Sequence, residues 1–293
     1  FANQNDKAVL KADGLASGNG VFICKSKQEI MGAANKLLQE RIFGNASSLI
    51  LAEELLEGQE VSIIGFSDGK IIRLFYPSQD HKRIFDNDSG ANTGGMGAYA
   101  PVPFVSEKLL QEIKQKIMKP VINKMNEKRT PFVGVLYAGL MIVAGNPFVL
   151  EFNCRFGDPE AQVILPLLDS DILELMIACV EGKLLEKDIA LKTGAATCVV
   201  MASGGYPDSY EKGKTINGLD EVAREKNVVV FHAGTKMENG KIVSNGGRVI
   251  GVTGFGKTIP DSINAAYSGV SKISFENMHY RRDIGKKALL RSA

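Results

Sequence analysis

Glu151 and Asn153 stand two apart in an apolar run, Val149-Leu150-Glu151-Phe152-Asn153, that opens into the polar stretch Cys154-Arg155-Phe156-Gly157-Asp158-Pro159-Glu160. On a β-strand that spacing sets both side-chain oxygens on one face. A carboxylate beside an amide oxygen suits a hard divalent cation, and Mg²⁺ is commonly held by one or two protein carboxylates together with substrate phosphates. Arg155 shares the face if the strand runs that far, and its planar fork matches phosphate or carboxylate. Taken alone, the three residues are equally the polar groups of an ordinary edge strand, because two-residue spacing is common in half-buried strands.

Two glycine-rich stretches could add anion chemistry. Lys7–Ala12 reads as a strand, Asp13–Gly20 as a glycine-rich loop, and Val21–Cys24 as a returning strand. Such a hairpin can fold over phosphates, since glycine lets backbone N–H groups approach an anion closely; a plain turn explains the same residues. It is not a dinucleotide fingerprint, in which the glycine loop opens a helix. The second stretch, Asn92-Thr93-Gly94-Gly95-Met96-Gly97-Ala98-Tyr99, follows the polar cluster Ser78–Arg83 inside Pro77–Pro103, which reads as one long irregular loop. Loops of that length in compact domains are functional or disordered. Phe85, Met96, Tyr99 and Phe104 oppose disorder, so a substrate or phosphate site is expected here. Acidic residues around the neighbouring strands, Glu53 and Glu60 among them, could bond an adenine amine and ribose hydroxyls or simply be solvated.

One further match is set aside. Gly251–Thr258 fits the Walker A pattern letter for letter. A phosphate-binding helix should begin at the Lys-Thr itself. Here Ile259-Pro260 intervene, Thr258 reads as an N-cap with proline in the first turn, and no apolar strand ending in Asp follows. Lys257 is therefore expected to be silent in catalysis.

The elements that must carry these groups follow from pattern. Ser26–Glu29 is a capping box opening a helix to about Arg41, with Ile30, Ala34, Leu37 and Leu38 inward. Strands are expected at 49–52 and 58–64, with Asp68-Gly69 turning the second into 71–76. A helix over 106–125 faces Leu110, Ile113, Ile117 and Val121 inward and bends at Pro120. A hairpin, 133–143 with 148–152, delivers Glu151 and Asn153, and helices follow at 159–167 and 170–181. From about residue 190 the texture changes to short strands (195–201, 228–233, 247–253), an Asn239-Gly240 turn and a helix at 261–273.

Composition bounds the classes. The chain has 293 residues, 44% hydrophobic and 23% charged, which is ordinary for a globular protein of two domains. A net charge of +2 argues against nucleic acid, and no apolar run reaches the length of a membrane span. Cys24, Cys154, Cys179 and Cys198 form no C-x-x-C pair, and three scattered histidines make a zinc site improbable. A reducing, cytoplasmic setting without a secretory leader is expected. The sequence begins at once on a strand, from which an N-terminal element outside this chain is expected.

Several stretches, in order, resemble the phosphoribosylamine–glycine ligase (glycinamide ribonucleotide synthetase) family of ATP-grasp enzymes: Lys11-Ala12-Asp13-Gly14-Leu15-Ala16, Gln79–Arg83, Asn92–Tyr99, Leu136–Met141, Glu151–Glu160 and Asn245-Gly246-Gly247-Arg248-Val249. The resemblance covers nearly the whole chain and implies an α+β, ATP-grasp fold, two subdomains gripping ATP, followed by a small, mainly β C-terminal domain. Residues 1–57 would be most of the lid subdomain, 58–190 the large subdomain with the metal and substrate site, and 191–293 the C-terminal domain. By the family pattern Lys11 meets the adenine and α-phosphate side of ATP. The backbone of Gly14, Gly18 and Gly20 covers the phosphates, Glu53 and Leu56 meet the adenine, and Glu60 the ribose. Glu151 and Asn153 hold Mg²⁺ or Mn²⁺, Arg155 neutralises the transferring phosphate, and Asp80, Lys82 and Asp158 are candidates for holding glycine and 5-phosphoribosylamine.

The implied reaction has glycine attack the γ-phosphorus of ATP, and the amine of 5-phosphoribosylamine then displace phosphate from glycyl phosphate. Positioning and charge neutralisation carry such chemistry, and lid closure keeps water out. No nucleic-acid or membrane partner is implied, and a monomer or weak dimer is expected. Two departures stand out: Asn19 replaces a lysine usual in the family's glycine loop, and the family's N-terminal domain is absent from this chain. A related ATP-grasp carboxylate–amine ligase is an alternative opposed by Asp80–Arg83 and Asn92–Gly97. A non-catalytic or truncated ATP-binding fragment is opposed by Glu151, Asn153 and Arg155 standing together.

Overall fold

The structure of the protein is a computed structural model describing residues 6–16 and 20–289. Its backbone contacts gather into two compact units, Phe1–Gly58 and Gln59–Ala293.

In the first unit β1 (Ala8–Ala12) lies between β2 (Val21–Cys24) and, beyond helix α1 (Lys27–Leu38), β3 (Ile50–Glu53), all antiparallel. Alternation buries Ala8 and Leu10 with Cys24 against Ile30, Ala33 and Leu37 of α1, and leaves Val21, Ile23 and Leu51 exposed. Ser26 caps α1 by accepting the Glu29 N–H at 3.2 Å. The return arm of the expected capping box is shifted: Glu29 takes the N–H of Lys25, at 2.8 Å. The helix stops at Leu38, short of the expected Arg41, which lies in the left-handed region at φ 48°.

The second unit opens with β4 (Gln59–Asp68) and β5 (Ile72–Leu74). The segment expected to be irregular then contains four short strands, β6 (Gln79–Asp80), β7 (Arg83–Phe85), β8 (Ser89–Asn92) and β9 (Gly97–Ala100). Strands this short carry no readable alternation; their partners make them, β6 on β9 and β7 on β8. Helices α2 (Glu107–Ile113) and α3 (Lys119–Glu127) are joined by one π-turn, Lys114–Met118, just ahead of Pro120. The wide turn accommodates the proline's missing N–H and rotates the helix face. The buried residues are consequently Ile113, Met118 and Ile122, while Leu110, Ile117 and Val121 are only half-buried.

Next come β10 (Val133–Val143) and β11 (Asn146–Asn153). Ala144 and Gly145, at φ 48° and 79°, make the two-residue turn between them, in the left-handed backbone such hairpins need. The resulting antiparallel sheet runs β11-β10-β4-β5. One face sets Val61, Ile63, Leu136, Ala138 and Leu140 against the α2–α3 helix. The other sets Ile64, Phe66 and Tyr137 against α4 (Ala161–Ile164) and α5 (Ile172–Val180). The α4 helix is far shorter than the expected 159–167.

The remaining elements are β12 (Ala195–Ser203), α6 (Leu219–Val222), β13 (Val228–His232), β14 (Thr235–Glu238), β15 (Lys241–Ser244), β16 (Arg248–Gly256), α7 (Ile259–Lys272) and β17 (Met278–His279). Their main sheet has the order β13-β16-β12-β9-β6, with β17 also on β12. It takes strands from both sides of residue 190, β9 pairing with β12. The Walker-like glycines lie in β16, not in a loop, and Thr258 caps α7 in a full capping box with Asp261. Among the described residues, no helix is long and apolar enough to cross a membrane. All four cysteines are free.

Candidate active site

β11 is an edge strand, and its pairing with β10 slips between Gly139 and Leu140: Gly139 faces Glu151, Leu140 faces Val149, and Leu150 is the extra residue. Bulges of this kind re-aim side chains next to functional sites. Glu151 and Asn153 converge, with Asn153 Nδ2 donating to Glu151 Oε1 at 3.1 Å. Turning the amide over, an orientation hydrogen-bond networks decide, brings Oδ1 beside the carboxylate. Two oxygen donors without nitrogen or sulfur fit Mg²⁺ or Mn²⁺ and leave most of an octahedral shell for water and phosphate. Among the described residues no cluster of three or more His, Cys, Asp or Glu offers a competing metal site. The strand ends at Asn153, so the shared-face argument does not reach Arg155. That exposed guanidinium lies in the following turn, donating to the Phe156 carbonyl at 2.8 Å.

Tyr137 is the cross-strand partner of Asn153, and it leads into a buried polar group. Its hydroxyl donates to Glu160 Oε1 at 2.9 Å, Ser62 Oγ donates to the same oxygen at 3.1 Å, and the two hydroxyls are 2.8 Å apart. Glu160 is 3% exposed. Burial, then the charge of Asp80, raises its pKa against the pull of Lys82 and its hydrogen bonds. Gly157 leaves room for this carboxylate; a side chain there would collide with Glu160. Lys82 bonds both Asp80 oxygens, at 3.0 and 3.1 Å, and lies 3.4 Å from Glu60. Burial works against its ammonium, but Asp80 and Glu60 outweigh that and hold its pKa well above the usual lysine value. Expected substrate residues and an expected ribose residue thus share one cluster.

Asp158 is drawn into a different set of contacts. Its carboxylate accepts from Gln162 Nε2 at 3.0 Å and from Arg248 at 3.3 Å, and its carbonyl accepts from Arg248 at 2.8 Å. The same arginine nitrogen donates to the Gly94 carbonyl at 2.7 Å, and the Gly94 N–H donates to the Tyr206 hydroxyl at 3.0 Å.

Within the first unit Lys11 and Glu53 form an ion pair of 2.6 Å on neighbouring strands, both only partly exposed. Leu56 is half-buried in the segment after β3. Gly14 donates to the Ala46 carbonyl at 3.0 Å and packs so closely on Ala46 that no side chain fits, and the Gly20 carbonyl accepts from Ala12 at 2.9 Å. Gly18 and Asn19 lie outside the described residues.

Ser62, Tyr137, Glu160, Tyr206 and Arg248 had no assigned role in the sequence reading. Ser62 and Tyr137 carried one usable signal, being polar groups inside otherwise apolar strands, where a partner is obligatory. Arg248 and Glu160 stood in quoted motifs, but nothing in their spacing showed what they touch.

Comparison with known proteins places these residues in context. Residues 1–161 match the family model "Phosphoribosylglycinamide synthetase, ATP-grasp (A) domain", and residues 196–287 match "Phosphoribosylglycinamide synthetase, C domain". The chain is 48% identical over 282 residues to the trifunctional purine biosynthetic protein adenosine-3 of Gallus gallus, covering 96% of this chain and 28% of that protein. It is 47% identical over 282 residues to the phosphoribosylamine–glycine ligase of Leptospira interrogans, covering 96% of this chain and 66% of that one. The crystal structure of phosphoribosylamine–glycine ligase from Thermotoga maritima superposes with a TM-score of 0.87 at 34% identity, over 95% of this chain and 69% of that one. The biotin carboxylase domain of 2-oxoglutarate carboxylase from Hydrogenobacter thermophilus shares the fold alone, with a TM-score of 0.69 at 15% identity, over 95% of this chain and 60% of that one. The chain therefore spans between 28% and 66% of the length of these two curated relatives.

Proposed function

The chain belongs to the phosphoribosylglycinamide synthetase family, with the ATP-grasp fold, and from that premise we propose that it joins glycine to 5-phosphoribosylamine at the expense of ATP, giving glycinamide ribonucleotide, ADP and phosphate. The observation that supports this best is the Glu151–Asn153 oxygen pair, one cross-strand step from Tyr137 and the buried polar group.

Glu151 and Asn153 would hold Mg²⁺ or Mn²⁺, which when bound shields the phosphate charge of ATP. Lys11, Glu53 and Leu56 would meet the adenine side, the backbone of Gly14 to Gly20 the phosphates, and Glu60 the ribose. A glycine carboxylate oxygen forms a bond to the γ-phosphorus as the bond to the ADP oxygen breaks. The amine of 5-phosphoribosylamine then attacks the carbonyl carbon of glycyl phosphate, phosphate leaves, and the nitrogen loses a proton. Arg155 would offset charge on the transferred phosphoryl group, where fixed donors act most strongly. Asp80, Lys82 and Asp158 would seat glycine and the amine. Lys82, with its raised pKa, serves as a permanent cation and not as a base. The free thiols fit a cytoplasmic setting.

The test is Mg²⁺-dependent ADP release with glycine and freshly generated phosphoribosylamine, beside Glu151→Ala. The proposal expects turnover that needs both substrates and is lost in the variant. ATP binding without turnover would favour a nucleotide-binding module over the ligase. No ATP binding at all would refute the site.

A further inference from the structure

The contacts of Arg248 make one tie between two segments that sequence holds far apart. We infer that Arg248, with Tyr206, is a positioning residue for the substrate side of the site, fastening the Gly94–Gly95 turn to Asp158 and thereby setting the backbone of Lys82.

Arg248 is the first residue of β16, and its pairing partner Ala202 lies just past the slip between Met201 and Ala202, where a bulge re-aims side chains. One terminal nitrogen lies within reach of four acceptors: the Gly94 carbonyl at 2.7 Å, the Asp158 carbonyl at 2.8 Å, the Asp158 carboxylate at 3.3 Å and the Gly95 carbonyl at 3.5 Å. The guanidinium packs against Gly94, where an added Cβ would come within 2.9 Å of its central carbon. Tyr206 accepts the Gly94 N–H at 3.0 Å, so both backbone polar groups of Gly94 are held by side chains from beyond residue 195.

The turn so held rests directly on the substrate segment. Thr93 donates to the Lys82 carbonyl through both its N–H and its hydroxyl, each at 2.8 Å. Gly95 N–H donates to the Thr93 hydroxyl at 3.0 Å, and Met96 N–H to the His81 carbonyl at 2.8 Å. At the other end of the tie, Asp158 is next but one to Glu160, whose carboxylate is fixed by Ser62 and Tyr137. Lys82 and Glu160 sense each other's charge. Arg248 therefore sets the distance between the two arms that carry them.

The kinetic part of this inference rests on the ligase reading above; the structural part does not. Arg248→Met, Arg248→Lys and Tyr206→Phe are to be compared with the parent chain. KM for glycine and for phosphoribosylamine is expected to rise about tenfold in Arg248→Met, with KM for ATP unchanged, partial recovery in Arg248→Lys and a smaller rise in Tyr206→Phe. Hydrogen exchange by mass spectrometry is expected to accelerate at the amides of 93–97, with β12 still protected. Unchanged exchange at 93–97, or unchanged KM values in an active variant, overturns the inference. A uniform loss of protection through β12 and β16 together with weakened ATP binding also overturns it, since that is general packing damage. Should the parent chain show no glycine-dependent turnover, the ligase reading fails and the local exchange result still decides whether Arg248 holds the turn.

Discussion

His81 should make the larger unit lose stability in mild acid, and the size of the loss can be worked out. The ring is fully buried between Asp80 and Lys82. Its Nε2 accepts the Gly285 N–H at 3.4 Å, and its Nδ1 has no partner. Accepting at Nε2 puts the neutral ring's proton on Nδ1. Burial, followed by the charges of Lys287 and Arg281, pushes the pKa down to about 4, against Asp80 and Asp283, which pull it up. An unfolded chain's histidine titrates near 6.5, at roughly the value for a free side chain. Between those values the unfolded chain binds a proton that the folded one refuses, so stability is full above pH of about 6.5 and falls as pH drops toward 4. At about 1.4 kcal/mol per pKa unit the whole window amounts to roughly 3 kcal/mol, a large part of a typical domain's total stability of about 5–15 kcal/mol.

The perturbation is His81→Gln, which carries no charge at any pH and keeps an acceptor for Gly285. All seven tyrosines lie in residues 76–280 and there is no tryptophan, so tyrosine fluorescence in urea reports the larger unit alone. The stability difference between parent and variant should change by about 3 kcal/mol from pH 7.5 to pH 4, the parent losing more. Glu160, with its raised pKa, works in the opposite direction, and Asp283, held far below the usual carboxylate range, acts in stronger acid. Both are common to the two proteins and cancel in the difference. Parallel curves across the window would refute the reasoning.

Two further outcomes test the local chemistry. Tyr137→Phe removes the hydroxyl 2.9 Å from the Glu160 carboxylate and should cost about 1–3 kcal/mol in urea unfolding; a Ser62→Ala double-mutant cycle should show coupling, because both donors serve the same oxygen. Thr258→Ala breaks the α7 capping box and should cost about 1 kcal/mol while leaving ADP release unchanged, and Lys257→Ala should be silent in the same assay; a lost nucleotide affinity in Lys257→Ala would revive the Walker reading.

What could be read in advance lay within one element or one turn. Glu151 and Asn153 share a strand, and Thr258 and Asp261 share a helix start; local geometry decides each. The residues that escaped meet across long sequence separations: Ser62 and Tyr137 are 75 apart, Ser62 and Glu160 98, Arg248 and Gly94 154. Such meetings depend on strand register and on bulges, which are settled by packing over whole sheets. The short strands β6 to β9 were hidden for the same reason, since their partners, and not their own pattern, hold them extended.

That dependence has a functional side. The segment 79–97 carries the expected substrate residues, yet it is held largely by groups that come much later in the chain. His81 accepts from Gly285, Arg281 and Asp283 fix the 83–88 turn, and Gly94 is held by Tyr206 and Arg248. Arg281, fully buried, spends its guanidinium on Asp283, Asp88 and the Arg83 carbonyl. The residues after Ala195 supply none of the groups proposed for ATP or metal, but they supply the framework for Asp80 and Lys82. Removing them would strip β12 from β9, the strand on which β6, with Asp80, pairs. On the proposed roles of Asp80 and Lys82, the mainly β C-terminal part would serve the site through backbone position and not through contact with the reacting atoms.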